Sequence, residues 1–192
     1  MTAFNDVDLA YLAEGYQTLE HLCAEREQTP DEVLDLITQG RLPRPTYVLD
    51  DGTELFPPDY FGLPDAAGGV EGLRAAFEQR HRVATSALGL VGMDPEADWR
   101  GYLSGEFGAC LHEVTPEVMV EKAALIAQID TLTAVPAVDD ARWRDELREA
   151  VDELDEIERP FTEYDRQRWG VTSRDTHITA VRAKYLDRQD GQ

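Results

Sequence analysis

The C-terminal segment holds the residues best suited to chemistry. Between Glu158 and Arg188 stand seven basic residues against five acidic ones, in a chain whose formal net charge is −21. Aromatic rings are interleaved with the cations: Tyr164, Arg168 and Trp169 are followed by Arg174, His177 and Arg182. A planar guanidinium beside an aromatic ring suits a carboxylate, a phosphate or a flat anion, because its fork of N–H donors meets two oxygens at once. Arg174 and His177 fall one turn apart at the start of the last expected helix, where unpaired N–H groups and the helix dipole favour negative charge. A small anionic ligand is therefore expected at Arg174, His177 and Arg182, with Tyr164, Arg168 and Trp169 beside it. The same arginines have a second use, as ion-pair partners for the acidic stretch Asp139–Glu158.

Cys110-Leu111-His112-Glu113 places a thiol, an imidazole and a carboxylate together. A zinc site needs about four ligands at recurring spacing, and the chain contains no CxxC, HxxxH or HExxH. Cys110 and His112 are two apart, so on a helix they point in different directions; His112-Glu113 reads as a solvated helix end. No P-loop, GxGxxG or GxSxG occurs. Neither a metal nor a cofactor is expected. Carboxylate pairs such as Asp139-Asp140 and Asp155-Glu156 recur too often for one of them to mark a site. Gly101, Gly105 and Gly108, near Trp99 and Tyr102, fit either close packing or a ligand approaching the backbone.

These residues need elements to hold them, and the punctuation of the chain supplies a plan. Residues 1 to 15, with Leu9, Tyr11 and Leu12, read as a short leading helix packed on the segment that follows. Thr18 caps a helix over residues 18 to 26 with Leu19 and Leu22 inward. Thr29-Pro30-Asp31-Glu32 opens the next, with Thr as N-cap, Pro at N1 and Glu at N3. Gly40 ends it, and Pro43 and Pro45 force an extended exit. Asp50-Asp51-Gly52 joins two strands, near Thr46–Leu49 and Thr53–Phe56, into a hairpin. Residues 62 to 70, GLPDAAGGV, read as a break. Beyond it the spacing predicts helices over Val70–Leu90 (Leu73, Phe77, Val83 or Ala84, Ala87, Leu88), from Asp94-Pro95 (Trp99, Tyr102, Leu103, Phe107), and from Thr115-Pro116 (Val120, Leu125, Ile129, Leu132). Another follows from Asp139 or Asp140 (Trp143, Leu147, Val151, Leu154, Ile157). Thr162 with Asp165 caps a short turn, and Thr172 with Asp175 opens the last helix, with Ile178, Val181 and Tyr185 inward. The expected architecture is mainly α: a winged helix-turn-helix unit with a β-hairpin over residues 1–65, then a helical domain of about five helices over residues 66–192.

The order of elements in residues 18 to 61 resembles the excisionase or MerR-type winged helix. Thr29, Val33, Leu36, Ile37, Gly40, Arg41, Leu42 and Pro43 stand where that pattern carries similar residues. The resemblance implies a DNA reader, but two positions depart from it. Asp35 stands where a phosphate-reaching arginine is usual, and Glu27 replaces the glycine between the helices. Residues 1 to 65 hold three arginines, no lysine and fourteen acids, a local charge of −11. Useful DNA binding takes roughly 6 to 10 phosphate contacts from Lys and Arg, so nucleic acid is not the expected partner. The tail PFTEYDRQRWGVTSRDTHITAVRAKY is similar to an uncharacterised actinobacterial family of natural-product biosynthesis proteins, which implies a specialised-metabolite pathway and no defined reaction.

The charge bounds the rest, since −21 repels phosphates and anionic membrane surfaces. No run of 18 apolar residues exists, and MTAFNDVDLAYLAEGY lacks the basic and apolar regions of a secretory signal. A cytoplasmic protein with two reduced thiols, Cys23 and Cys110, is expected. The leading reading is a binding or accessory protein whose winged helix recognises a protein or peptide. The alternatives are a small cofactor-independent enzyme built on Arg174 and His177, and a ligand-sensing transcription regulator. The oligomeric state has no signature in the sequence.

Overall fold

The computed structural model describes residues 4–187, so Arg188 of the basic tail lies outside the described residues. The fold is mainly helical with one two-stranded antiparallel hairpin. Helices α1 (Asp6–Gly15), α2 (Leu19–Cys23) and α3 (Pro30–Thr38) lead to strands β1 (Tyr47–Val48) and β2 (Glu54–Leu55). Then come α4 (Gly62–Ala66), α5 (Val70–Ala87), α6 (Pro95–Ser104), α7 (Phe107–Cys110), α8 (Pro116–Ala134), α9 (Ala141–Ile157) and α10 (Glu163–Trp169). The last helix carries two π-wound stretches, α11 (Arg174–Thr179) and α12 (Arg182–Leu186). No described helix is long and apolar enough to cross a membrane.

The helix starts follow from local chemistry. Thr29 accepts from the Glu32 N–H while the Glu32 carboxylate accepts from the Thr29 N–H, and Pro30 fills N1, where its missing donor costs nothing. Thr162 with Asp165 and Thr172 with Asp175 repeat the reciprocal arrangement. Gly40 follows α3 at φ +67°, the left-handed turn that glycine adopts without a Cβ clash.

Three hydrophobic clusters hold these elements. The first gathers Leu19, Cys23 and Val33 from α2 and α3 with Phe56, Leu73, Phe77, Trp99, Tyr102 and Met119. The second packs the α9 stripe Trp143, Leu147, Val151 and Leu154 against Leu125 and Ile129 of α8 and Ile178 and Val181 of the last helix. The third joins Leu12 and Tyr16 to the hairpin residues Tyr47 and Leu55 and to Ala109, with Tyr164 and Trp169 at its edge. Helix α8 therefore serves two cores, Met119 in one and Leu125 and Ile129 in the other.

Several expectations change in detail. Residues 62 to 70 read as a break, yet Gly62–Ala66 is helix with Leu63 and Pro64 buried, and the first cluster draws on both sides of it. More helices lie after residue 66 than about five, because Phe107 does not continue α6. Gly105 at φ +80° turns the chain there, and Phe107 opens α7. On α5 the inward stripe is Leu73, Phe77 and His81 at four-residue steps, while Val83 and Leu88 are exposed. His81 belongs inside because Asp98 meets its Nε2 at 2.7 Å. Leading helix α1 buries Leu12 in the third cluster and leaves Leu9 exposed. Cys110 ends α7, and Leu111 and His112 run extended, antiparallel to Ile157–Arg159.

Candidate functional site

The extended segment after α7 builds the site. The His112 N–H donates to the Ile157 carbonyl, and the Arg159 N–H donates to the Cys110 carbonyl, both at 3.0 Å. Arg159, itself buried, donates through Nε to the Leu111 carbonyl at 2.8 Å and lies over the Tyr16 ring. Cys110 and Glu158 are thereby fixed side by side although 48 residues separate them. Three glycines let the segment leading into this strap pack closely on the hairpin approach and on itself. A Cβ on Gly105 would come within 2.4 Å of the Arg44 carbonyl oxygen, one on Gly108 within 2.2 Å of Thr46 Oγ1, and one on Gly101 within 2.7 Å of the Phe107 ring. The glycine spacing therefore serves packing.

Beside this strap lies a cavity of about 280 Å³ lined by Gly101, Glu106, Phe107, Cys110, Lys122, Phe161, Trp169, Thr172 and Ser173. Its wall is largely the rings of Phe107, Phe161 and Trp169. One end is polar: Lys122 Nζ meets Glu158 Oε1 at 2.8 Å, and Ser173 Oγ donates to the same oxygen at 2.5 Å. The Glu158 side chain is fully buried and the Lys122 side chain is 14% exposed. Glu158 Oε2 is buried with no hydrogen-bond partner. Burial pushes the Cys110 thiol above its ordinary pKa, with Glu158 adding to the rise and Lys122 opposing it. Burial works against the Lys122 ammonium, but Cys110 and Glu158 beside it carry its pKa above the ordinary lysine value. At neutral pH the site is thus a protonated thiol next to a buried ammonium–carboxylate pair, and the pair leaves no net charge.

The expected anion-site residues divide between two places. Arg174 pairs with Asp155 and donates to the Glu158 carbonyl at 3.2 Å, and Arg182 pairs with Asp152 and Asp155. Of the two uses open to these arginines, the geometry shows them paired with the acidic helix α9. His177 meets the Ser173 carbonyl and Asp130, each at 3.2 Å, on a separate groove between α8 and the last helix. Tyr164 stacks on Phe4 at 3.9 Å between centroids, and exposed Arg168 lies over Trp169 and donates to the Thr46 carbonyl. Of the six, only Trp169 lines the cavity. Lys122, Glu158, Ser173 and Phe107 escape a reading of the sequence because no local spacing joins them, whereas Phe161 stands among the aromatics interleaved with the C-terminal arginines. One signal was present: sixteen of the eighteen basic residues are arginine, and Lys122 interrupts an apolar run in α8. Among the described residues no three His, Cys, Asp or Glu side chains converge to hold a metal ion.

No curated protein and no solved structure matches the chain. One family model does, over residues 73–186, and its description is a family of unknown function, DUF6058. The matched span runs from α5 to the last helix and contains the whole lining of the cavity, while residues 1 to 65 lie outside it. With more than half of its length under that match, the chain belongs to the DUF6058 family.

Proposed function

We propose that this chain is a binding protein whose cavity takes a small, flat, largely apolar molecule with a neutral hydrogen-bond acceptor at one end. The observation that carries this reading is the aromatic wall of Phe107, Phe161 and Trp169 ending at a lysine already balanced by Glu158. Ligand pockets of this kind fix an apolar body by shape and orient it with a few polar groups. A carboxylate brought to the Lys122 end would leave the buried group with surplus negative charge, whereas a carbonyl would accept an N–H and add none. A thiol whose pKa is raised has little of the thiolate that a cysteine nucleophile needs, which favours binding over covalent catalysis.

Such a ligand suits an accessory protein of a specialised-metabolite pathway, the context that the similarity of the tail implies. The N-terminal unit, read as a winged helix-turn-helix, serves protein or peptide recognition and not DNA in this proposal. Two of its three arginines support that reading: Arg26 is paired with Asp65 and Arg41 with Glu71.

Three probes sharing one ring system test the cavity: 2-acetylnaphthalene, 2-naphthoate and naphthalene, each titrated while tryptophan fluorescence is followed. The ketone should quench saturably and bind about tenfold more tightly than naphthalene, the gain of roughly one good hydrogen bond. Tighter binding of the naphthoate would remove the neutral-head reading, and absence of saturable binding by all three would remove the cavity as a ligand site.

A further inference from the structure

The outer edge of the hairpin is partly unpaired. The Gln17 N–H donates to the Phe56 carbonyl at 2.9 Å, and the Phe56 N–H donates back to the Gln17 carbonyl at 2.8 Å, so one residue pairs with the edge of β2 away from β1. Directly afterwards Thr18 caps α2 and the chain leaves the edge. In an antiparallel ladder alternate residues direct their N–H and C=O to opposite sides. Glu54, two before Phe56 and opposite Val48, therefore points both groups along the same outer edge. No described backbone group pairs with them. Against this edge lies a groove of about 360 Å³ between the hairpin and the starts of α2 and α3. Exposed Leu34 supplies apolar surface, with Leu19 and Phe56 buried beneath the floor, and Glu20 and Glu54 supply charge.

We propose that this groove takes an extended peptide from a partner protein, added as a strand to the edge of β2, with lysine or arginine alternating with apolar side chains. It rests on the reading of the N-terminal unit as a peptide-recognition surface and names the mode and the chemistry. Main-chain hydrogen bonds to Glu54 give affinity, and alternate side chains give selectivity. The charge decides the sign of the partner: residues 1 to 65 carry fourteen acids and three arginines, and two of those arginines are already paired.

The test compares three peptides on the whole chain by calorimetry: an extended peptide alternating Lys with Val, the same peptide N-methylated on alternate residues, and a helical peptide of Lys and Leu. The Lys-Val peptide should bind saturably, and N-methylation should weaken it at least about tenfold by removing strand hydrogen bonds. The variant Glu54→Pro should lose the same factor, since it deletes an outward N–H and leaves the β1 ladder in place. The N-methylated form uses the unaltered protein, so the result stands even if Glu54→Pro unfolds. Equal binding of the first two peptides would overturn strand addition and leave peptide recognition standing, as would binding of the helical peptide alone. Failure of all three would overturn both.

Discussion

Lys122 and Glu158 form the kind of pair whose value shows when it is broken. Each charge has left water, and their mutual contact at 2.8 Å offsets that loss. Removing one partner strands the other. Lys122→Met should lower the free energy of unfolding by about 3 to 5 kcal/mol, measured by urea titration. The double variant Lys122→Met/Glu158→Met should recover most of it, because no unpaired charge remains. A single variant as stable as the parent would show that water already reaches Glu158. The double variant also separates roles: it should keep the fold and lose the preference for the ketone over naphthalene.

At the scale of elements, the last helix is held to α9 by charge as well as by the second cluster. Burial opposes ionisation of Asp155, but Arg182 and Arg174 prevail and hold its pKa below the ordinary 3.8. A depressed carboxylate stabilises the fold at pH values above 3.8 and loses that contribution as pH falls through its lower folded value. Asp155→Asn should therefore lower the melting temperature at pH 6 and matter progressively less below about pH 4, read by thermal melts across pH. An equal deficit at pH 2.5 and pH 6 would assign Asp155 a role other than charge. The ends of these elements were legible in the sequence, since Thr29, Thr162 and Thr172 each stand three residues before an acid that completes the cap. The α9 stripe was legible too, because its spacing is that of one helix face. The cavity was not: Lys122, Glu158 and Ser173 come from separate elements and meet beside a strap pinned by Arg159, with nothing in local spacing to join them. Arg174 and Arg182 stand out in the sequence as a group, but whether a guanidinium meets a ligand or a neighbouring carboxylate depends on tertiary distance.

Across the whole molecule, the first cluster ties the N-terminal unit to the helices that follow. Leu73, Phe77, Trp99 and Tyr102 of α5 and α6 bury in the same cluster as Leu19 and Val33. Burying each such side chain contributes about 1.5 to 3 kcal/mol, so a chain begun at residue 66 would expose much of that face. Residues 66–192 expressed alone should be at least several kcal/mol less stable than the full chain or fail to fold, and the full chain should unfold in one transition by both circular dichroism and tryptophan fluorescence. Two separated transitions would show independent halves.

The buried carboxylate of Asp8 has a consequence for how the protein is made. It accepts from the Asn5 N–H at the start of α1 and, through its other oxygen, from the Glu163 N–H at the start of α10, both at 3.2 Å. The two residues stand 155 positions apart. During synthesis the α1 carboxylate has no second donor until α10, far along the chain, has been made. Closure of α1 against α10 thus waits for everything between them, and it seats Tyr164 on Phe4 on the helix that also brings Trp169 to the cavity wall. The wall of the cavity is therefore completed by α10 and the residues after it, in step with the docking of α10 on α1.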